Sequence, residues 1–199
     1  MKIKNVFLDR DGTVILEKHY LSDPKEVELI PEAGSTLAAM QKQGCRLFLI
    51  TNQSGIGRKY FKVEDYLAVQ EKLGELLDTF QVNFTATQYC PHRPDENCLC
   101  RKPKTLMWDK LKKKFALDPK ESIIIGDKEA DILFGRNCGF KSSILVLTGH
   151  GLKEAEKLDL PCLTDSWMKL APQKPNWPDI VARDIKAAWE AVRKGLMTE

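Results

Sequence analysis

The sequence has no window of about 18 apolar residues, so it gives no reason to expect a membrane-spanning helix. Its N-terminus, "MKIKNVFLD", lacks both an apolar signal core and a cleavage site, and a cytoplasmic location is the expectation. It also lacks an excess of either charge: 31 Lys+Arg stand against 28 Asp+Glu, a net of +3. No basic run is interleaved with aromatics, which argues against a nucleic-acid-binding surface. The lysines 112–114 read as a solvated helix face. Internal repeats and low-complexity stretches are missing too, so neither a solenoid nor a disordered chain is indicated.

What is present is one chain of 199 residues, long enough for a single sizeable core. Short apolar runs stand at 6–9, 46–51, 84–89, 122–126 and 143–147. Between them lie amphipathic stretches, with Tyr66, Val69, Leu73, Leu76 and Phe80 on one helical stripe and Met107, Leu111 and Phe115 on another. Alternating strands and helices with largely apolar strands predict an α/β fold: a parallel sheet with helices on both faces. The tail "APQKPNWPDI" reads as a proline-rich connector. A helix is predicted from Pro178 to about residue 194, carrying Val181, Ile185, Ala188 and Val192 on one stripe and docking back on a single domain of residues 1–199.

In such sheets ligands bind beyond the carboxyl ends of the strands. Three strand ends carry polar groups: Asp9 and Asp11 in "VFLDRDGTVI", Thr51 and Asn52 in "LITNQSG", and Asp127 and Lys128 in "IIIGDKEADI". Two bare carboxylates at one site repel each other and one would protonate, a conflict that a divalent cation resolves. Mg2+ prefers such oxygen ligands. Taken alone, Asp11-Gly12 could instead merely close an acidic turn. Carboxylates for a metal, together with hydroxyl donors and Lys102 in "CRKPK", suit phosphoryl transfer, where positioning and charge neutralisation do most of the catalysis.

"CPHRPDENCLCRKP" spaces Cys90, His92, Cys98 and Cys100 as Cys-x-His, five residues, Cys-x-Cys. Three thiolates and an imidazole complete a tetrahedral Zn2+ shell with no open position, which is a structural rather than a catalytic site. Pro91, Pro94 and the scarcity of apolar residues leave the 90–100 loop little to pack with. Cys45, Cys138 and Cys162 are scattered and read as structural thiols.

DxDGT after the first strand, Thr-Asn after the second, then a lysine and Gly-Asp, resembles the haloacid dehalogenase superfamily of phosphohydrolases over roughly residues 3–150. The resemblance implies a Rossmann-like core. It implies Asp9 as nucleophile and Asp11 as general acid and base, with Thr51 and Lys102 neutralising the transferring phosphoryl group. Mg2+ would be held by the Asp9 carboxylate, the Asp11 carbonyl and Asp127. Asp131 would either support the metal through water or be a helix-surface acid.

The cysteine loop resembles that of a zinc-containing branch with little or no cap domain, which includes heptose-bisphosphate and histidinol-phosphate phosphatases. "TNQSGIGR" and Tyr20 favour a heptose bisphosphate. The five-residue spacer resembles the histidinol type. The resemblance implies substrate contacts at Asp9, Arg10, Asp11, Glu17, Lys18, His19, Tyr20, Thr51, Asn52, Gln53, Ser54, Arg101, Lys102 and Lys128. The expected ligand is a small sugar phosphate, bound by a monomer with no nucleic-acid or membrane partner. The superfamily's polynucleotide phosphatases stand as a remoter alternative.

Overall fold

The computed structural model describes residues 3–171 and 174–195. Seven strands form one sheet in the order β3-β2-β1-β4-β5-β7-β6. They are β1 (Asn5–Leu8), β2 (Arg46–Asn52), β3 (Ala86–Cys90), β4 (Ser122–Gly126), β5 (Ser142–Val146), β6 (Trp167–Lys169) and β7 (Ile180–Ala182). All pairings are parallel except β6 on β7. The helices are α1 (Ala33–Lys42), α2 (Ser54–Gly57), α3 (Val63–Asp78), α4 (Leu106–Phe115), α5 (Glu129–Cys138), α6 (Gly151–Lys157) and α7 (Ile185–Gly195).

The pleat sends alternate residues to opposite faces. Val6, Leu8, Leu47, Leu49, Ile123 and Ile125 face one core, closed by α1, α3 and α7. Phe7, Phe48, Ile50 and Ile124 face the other, closed by Met107, Trp108 and Leu111 of α4 and Phe134 and Cys138 of α5. Phe7 stacks on Phe48 with centroids 4.8 Å apart. Both faces being covered is why these strands read as unbroken apolar runs. The strand order reverses between β1 and β4, so their carboxyl ends open a crevice at the switch point. No folded insert large enough to be a cap interrupts β1 to β2 or β2 to β3.

Two details of the packing differ from the spacing-based expectation. On α3 the buried stripe runs Tyr66, Val69, Leu73 and Leu77; Leu76 is only partly buried. Phe80 lies beyond the helix, with its ring against Gly34, where a Cβ would approach it to 2.5 Å. In the tail, Pro178 does not start a helix. Ile180, Val181 and Ala182 are all buried and extend the sheet as β7 beside β5. The helix begins only at Ile185, where Asp184 Oδ1 accepts the Ala187 N–H at 2.8 Å. Val181 serves the sheet, whereas Ile185, Ala188 and Val192 serve α7, so their common helical spacing joined two elements. Residues 172 and 173 of the proline-rich connector lie outside the described residues.

Candidate active site

The two aspartates of the opening motif reach one place because the chain turns immediately after β1. The Arg10 carbonyl accepts the N–H groups of Val14 at 2.9 Å and Ile15 at 3.1 Å, and Gly12 N–H donates to Ile15 O at 2.8 Å. Gly12 sits at φ +84°, and a Cβ there would lie 2.3 Å from Asp127 Oδ2. Only glycine permits both that backbone and that approach. The turn brings Asp9 and Asp11 to a cleft of about 270 Å³, which Thr51, Lys102, Lys128 and Asp131 also line.

Lys102 is the centre of this cleft. It is 3% exposed, and its Nζ lies 2.6 Å from Asp9 Oδ1, 2.8 Å from Ile50 O and 2.5 Å from Asp131 Oδ1. Burial works against its charge, but Asp131 and Asp9 outweigh it and hold the ammonium above an ordinary lysine pKa. Asn52 fixes its backbone: Oδ1 accepts Lys102 N–H at 3.0 Å and Nδ2 donates to Lys102 O at 3.2 Å. Gln53 Nε2 donates to both Thr51 Oγ1 and Asp11 Oδ2 at 2.8 Å.

Burial, reinforced by Asp131 and Asp11 against the pull of Lys102, pushes Asp9 up to about 6. Asp127 is raised further, to about 8, by burial and then by Asp9. Its Oδ2 accepts the His150 N–H at 2.8 Å, while Oδ1 is buried without a hydrogen-bond partner. Asp9, Asp127 and Asp131 each bring a carboxylate oxygen within 4.8 Å of the others. This oxygen cluster, in which Asp127 Oδ1 has only the Lys128 ammonium at 4.0 Å and no hydrogen-bond partner, fits a divalent cation. Asp131 is no surface acid: it is 1% exposed, and its Oδ2 accepts the Lys128 N–H at 3.1 Å at the start of α5.

The remaining expected contacts divide. Glu17, His19, Tyr20, Asn52, Gln53, Ser54, Arg101 and Lys128 line the cleft. Glu17 gathers its neighbours: Oε1 accepts the His19 N–H at 2.9 Å, and Oε2 lies 3.5 Å from Lys128 Nζ and 3.3 Å from His150 Nε2. His19 and Tyr20 occupy left-handed backbone, at φ 40° and 64°. Tyr20 meets Tyr60 edge-on at 4.7 Å. Arg101 makes no ion pair among the described residues, and its Nη1 is buried without a hydrogen-bond partner.

Arg10 and Lys18 depart from expectation. The Arg10 side chain is 1% exposed and turns away from the cleft onto Asp11 and Tyr66. Lys18 turns outward to pair with Glu28. His150, at the cleft rim, was not anticipated; its only sequence signal is its place in "LTGHG" after β5.

Beside the cleft, Cys90, His92, Cys98 and Cys100 converge. Cys90 Sγ lies 3.5 Å from Cys98 Sγ and 3.2 Å from Cys100 Sγ, and His92 Nδ1 lies 3.2 Å from Cys100 Sγ. These are the edges of a small tetrahedron; ligands on a common ion at about 2.3 Å stand some 3.8 Å apart. The cluster is tied to the turn after β2 and to α2, since Gln53 N–H donates to Cys90 O at 2.7 Å and Gly57 N–H to Pro91 O at 2.8 Å.

Comparison with known proteins agrees with this geometry. The family model for haloacid dehalogenase-like hydrolases matches residues 17–139, and a second described as HAD-hydrolase-like matches 99–188. D-glycero-beta-D-manno-heptose-1,7-bisphosphate 7-phosphatase of Haemophilus ducreyi is 34% identical over 85% of this chain and 97% of its own. The enzyme of that name from Helicobacter pylori is 38% identical over 75% of this chain and 86% of its own. A crystal structure of D,D-heptose 1,7-bisphosphate phosphatase from B. bronchiseptica, complexed with magnesium and phosphate, superposes with a TM-score of 0.81. It is 26% identical and covers 96% of this chain and 98% of that one. The chain therefore belongs to the haloacid dehalogenase-like hydrolase family, in one branch with these heptose-bisphosphate phosphatases.

Proposed function

We propose that the chain is a Mg2+-dependent phosphatase that removes the C7 phosphate of D-glycero-D-manno-heptose 1,7-bisphosphate. The relatives support this substrate class. The observation that carries it is the guanidinium of Arg101, without an ion pair among the described residues and with Nη1 lacking a hydrogen-bond partner, in a cleft that already holds Lys102 and Lys128. Lys102 is committed to the carboxylates where the phosphoryl group is transferred. A second, distal phosphate gives Arg101 its partner.

In this reading a carboxylate oxygen of Asp9 attacks phosphorus, and the bond from phosphorus to the ester oxygen breaks. Asp11 gives its proton to the departing oxygen. It then takes one from the water that cleaves the aspartyl-phosphate and releases inorganic phosphate. Thr51 Oγ1 accepts from Gln53, which leaves its own hydrogen to donate to a phosphoryl oxygen. Lys102 neutralises a second one. Mg2+, held by Asp9, the Asp11 carbonyl and Asp127, would supply the remaining charge neutralisation. Cys90, His92, Cys98 and Cys100 would hold a structural Zn2+ and so fix the chain leading into Arg101 and Lys102. The reading is of a monomer in a reducing cytoplasm, which would keep the three cysteines reduced and able to ligate as thiolates.

The test compares kcat/KM on the heptose 1,7-bisphosphate and on the heptose 7-phosphate. Losing one charge-assisted bidentate contact costs roughly 1.5–3 kcal/mol, or roughly 10- to 150-fold. Arg101→Ala should show that loss on the bisphosphate and little on the monophosphate. Equal losses on both would remove the case for a distal phosphate.

The zinc assignment has its own check. Elemental analysis after dialysis into Mg2+-free buffer should find about one zinc per chain, as four protein ligands imply. Cys98→Ser should release that zinc and depress activity without any contact to substrate. A zinc-free protein of full activity would contradict the assignment.

A further inference from the structure

We infer that Arg10 is a positioning residue, which fixes the carboxyl plane of Asp11 from behind; this rests on the phosphatase reading above. Side chains of adjacent residues in a strand point to opposite faces, so Arg10 could not reach Asp11 in an extended chain. The turn around the Arg10 carbonyl brings them together. Arg10 Nε then donates to Asp11 Oδ2 at 3.1 Å, and Nη2 donates to Asp11 Oδ1 at 3.1 Å. A planar guanidinium matches both oxygens of a carboxylate at once, which a lysine cannot do.

The fork is itself held rigid. Arg10 is 1% exposed, and its Cζ lies 5.2 Å over the ring of Tyr66. Tyr66 is buried in turn and rests against Tyr89, with centroids 4.3 Å apart. A charged side chain is rarely buried so fully without a task for its donors. Here Nε and Nη2 are spent on one neighbour rather than on a ligand, while Nη1 is buried without a hydrogen-bond partner.

A carboxylate offers about four lone-pair directions. Arg10 takes two and Gln53 takes a third, on Oδ2. Among the described residues, only one direction is left, on Oδ1. Asp11 lines the cleft, so this is where its proton can be handed to a departing oxygen and later received from water. Arg10 therefore decides which oxygen of Asp11 works and where it points.

The test uses two esters. A sugar phosphate leaves as an alkoxide that needs the proton of Asp11, whereas p-nitrophenolate leaves well without one. kcat/KM reports the first irreversible step, ester cleavage, for both. Arg10→Met should lower kcat/KM on the heptose bisphosphate by roughly 10- to 100-fold, part of the roughly 10²–10⁴ that a placed acid supplies. On p-nitrophenyl phosphate it should lose several-fold at most. Arg10→Lys, which keeps the buried charge against Tyr66 but loses the fork, should show the same selectivity more weakly, and it carries the test if Arg10→Met does not fold. Equal losses on the two esters would make Arg10 merely structural and overturn the inference, as would an undiminished rate on the sugar phosphate. Failure of the unsubstituted protein to cleave either ester would instead refute the phosphatase reading itself.

Discussion

Asp9→Asn should abolish phosphate release almost completely, by roughly 10³-fold or more in kcat, as loss of a nucleophile does. The amide has the shape of the carboxylate, and its oxygen can still accept from Lys102, so the site should stay assembled. What it loses is the anionic oxygen that bonds to phosphorus. No neighbour can replace it. Asp131 is occupied by Lys102 and the Lys128 N–H, Asp11 by Arg10 and Gln53, and Asp127 accepts the His150 N–H and lies outside the cleft lining. Stability should not fall with activity, because the Asp9 charge is opposed by burial and by Asp131 and Asp11. Two measurements separate the effects: steady-state phosphate release, and the melting temperature in the same buffer. Turnover within tenfold of the parent would rule out Asp9 as the nucleophile.

The parts of this site that were legible in the sequence share a physical cause. A strand covered on both faces is a short apolar run, and the first polar residue after it marks the strand's carboxyl end. Asp9 and Asp127 directly follow β1 and β4, and Thr51 is the next-to-last residue of β2; Asp9 and Thr51 line the cleft, and Asp127 brings a carboxylate oxygen within 4.8 Å of Asp9. The Cys-x-His and Cys-x-Cys pairs were legible because few other arrangements use three thiols and an imidazole so close together.

What escaped depended on tertiary placement. Arg10 has a long side chain beside two catalytic candidates, and nothing in its spacing says that a turn will aim it at Asp11 and Tyr66. Lys18 had an acid, Glu28, waiting on its outer side. The burial of Asp131 follows from Lys102, which is 29 residues away in sequence and 2.5 Å away in space. β7 was hidden because three buried residues, Ile180–Ala182, run into a helix whose stripe continues their spacing.

Without its divalent cation the protein should lose stability as pH rises from about 4 to about 8, and Mg2+ should restore it most at the alkaline end. The sign follows from the carboxyls. Asp9 and Asp127 are raised from the ordinary 3.8 to about 6 and about 8, chiefly by burial. The folded protein therefore holds protons that the unfolded chain has already released. That contribution is fully present below 3.8 and is lost as pH climbs through the two raised values. A bound cation reverses the preference by favouring the ionised forms, so it binds the folded state more tightly as pH rises and stabilises it by mass action. Glu129 is shifted the other way, held low by Lys157, and its contribution is lost on acidification. It lies at the start of α5 outside the cleft lining, so it should affect the curves with and without Mg2+ alike and cancel in their difference. The measurement is the melting temperature at about pH 5, 6, 7 and 8, after dialysis into Mg2+-free buffer and again with saturating Mg2+. Dialysis is preferred to a strong chelator, which would also strip the cysteine site. Asp127→Asn should raise the Mg2+-free melting temperature at about pH 8 and erase most of the Mg2+ effect, because it removes both the buried charge and the ligand. An equal Mg2+ stabilisation at about pH 5 and about pH 8 would show that the cation is not held by these buried carboxyls.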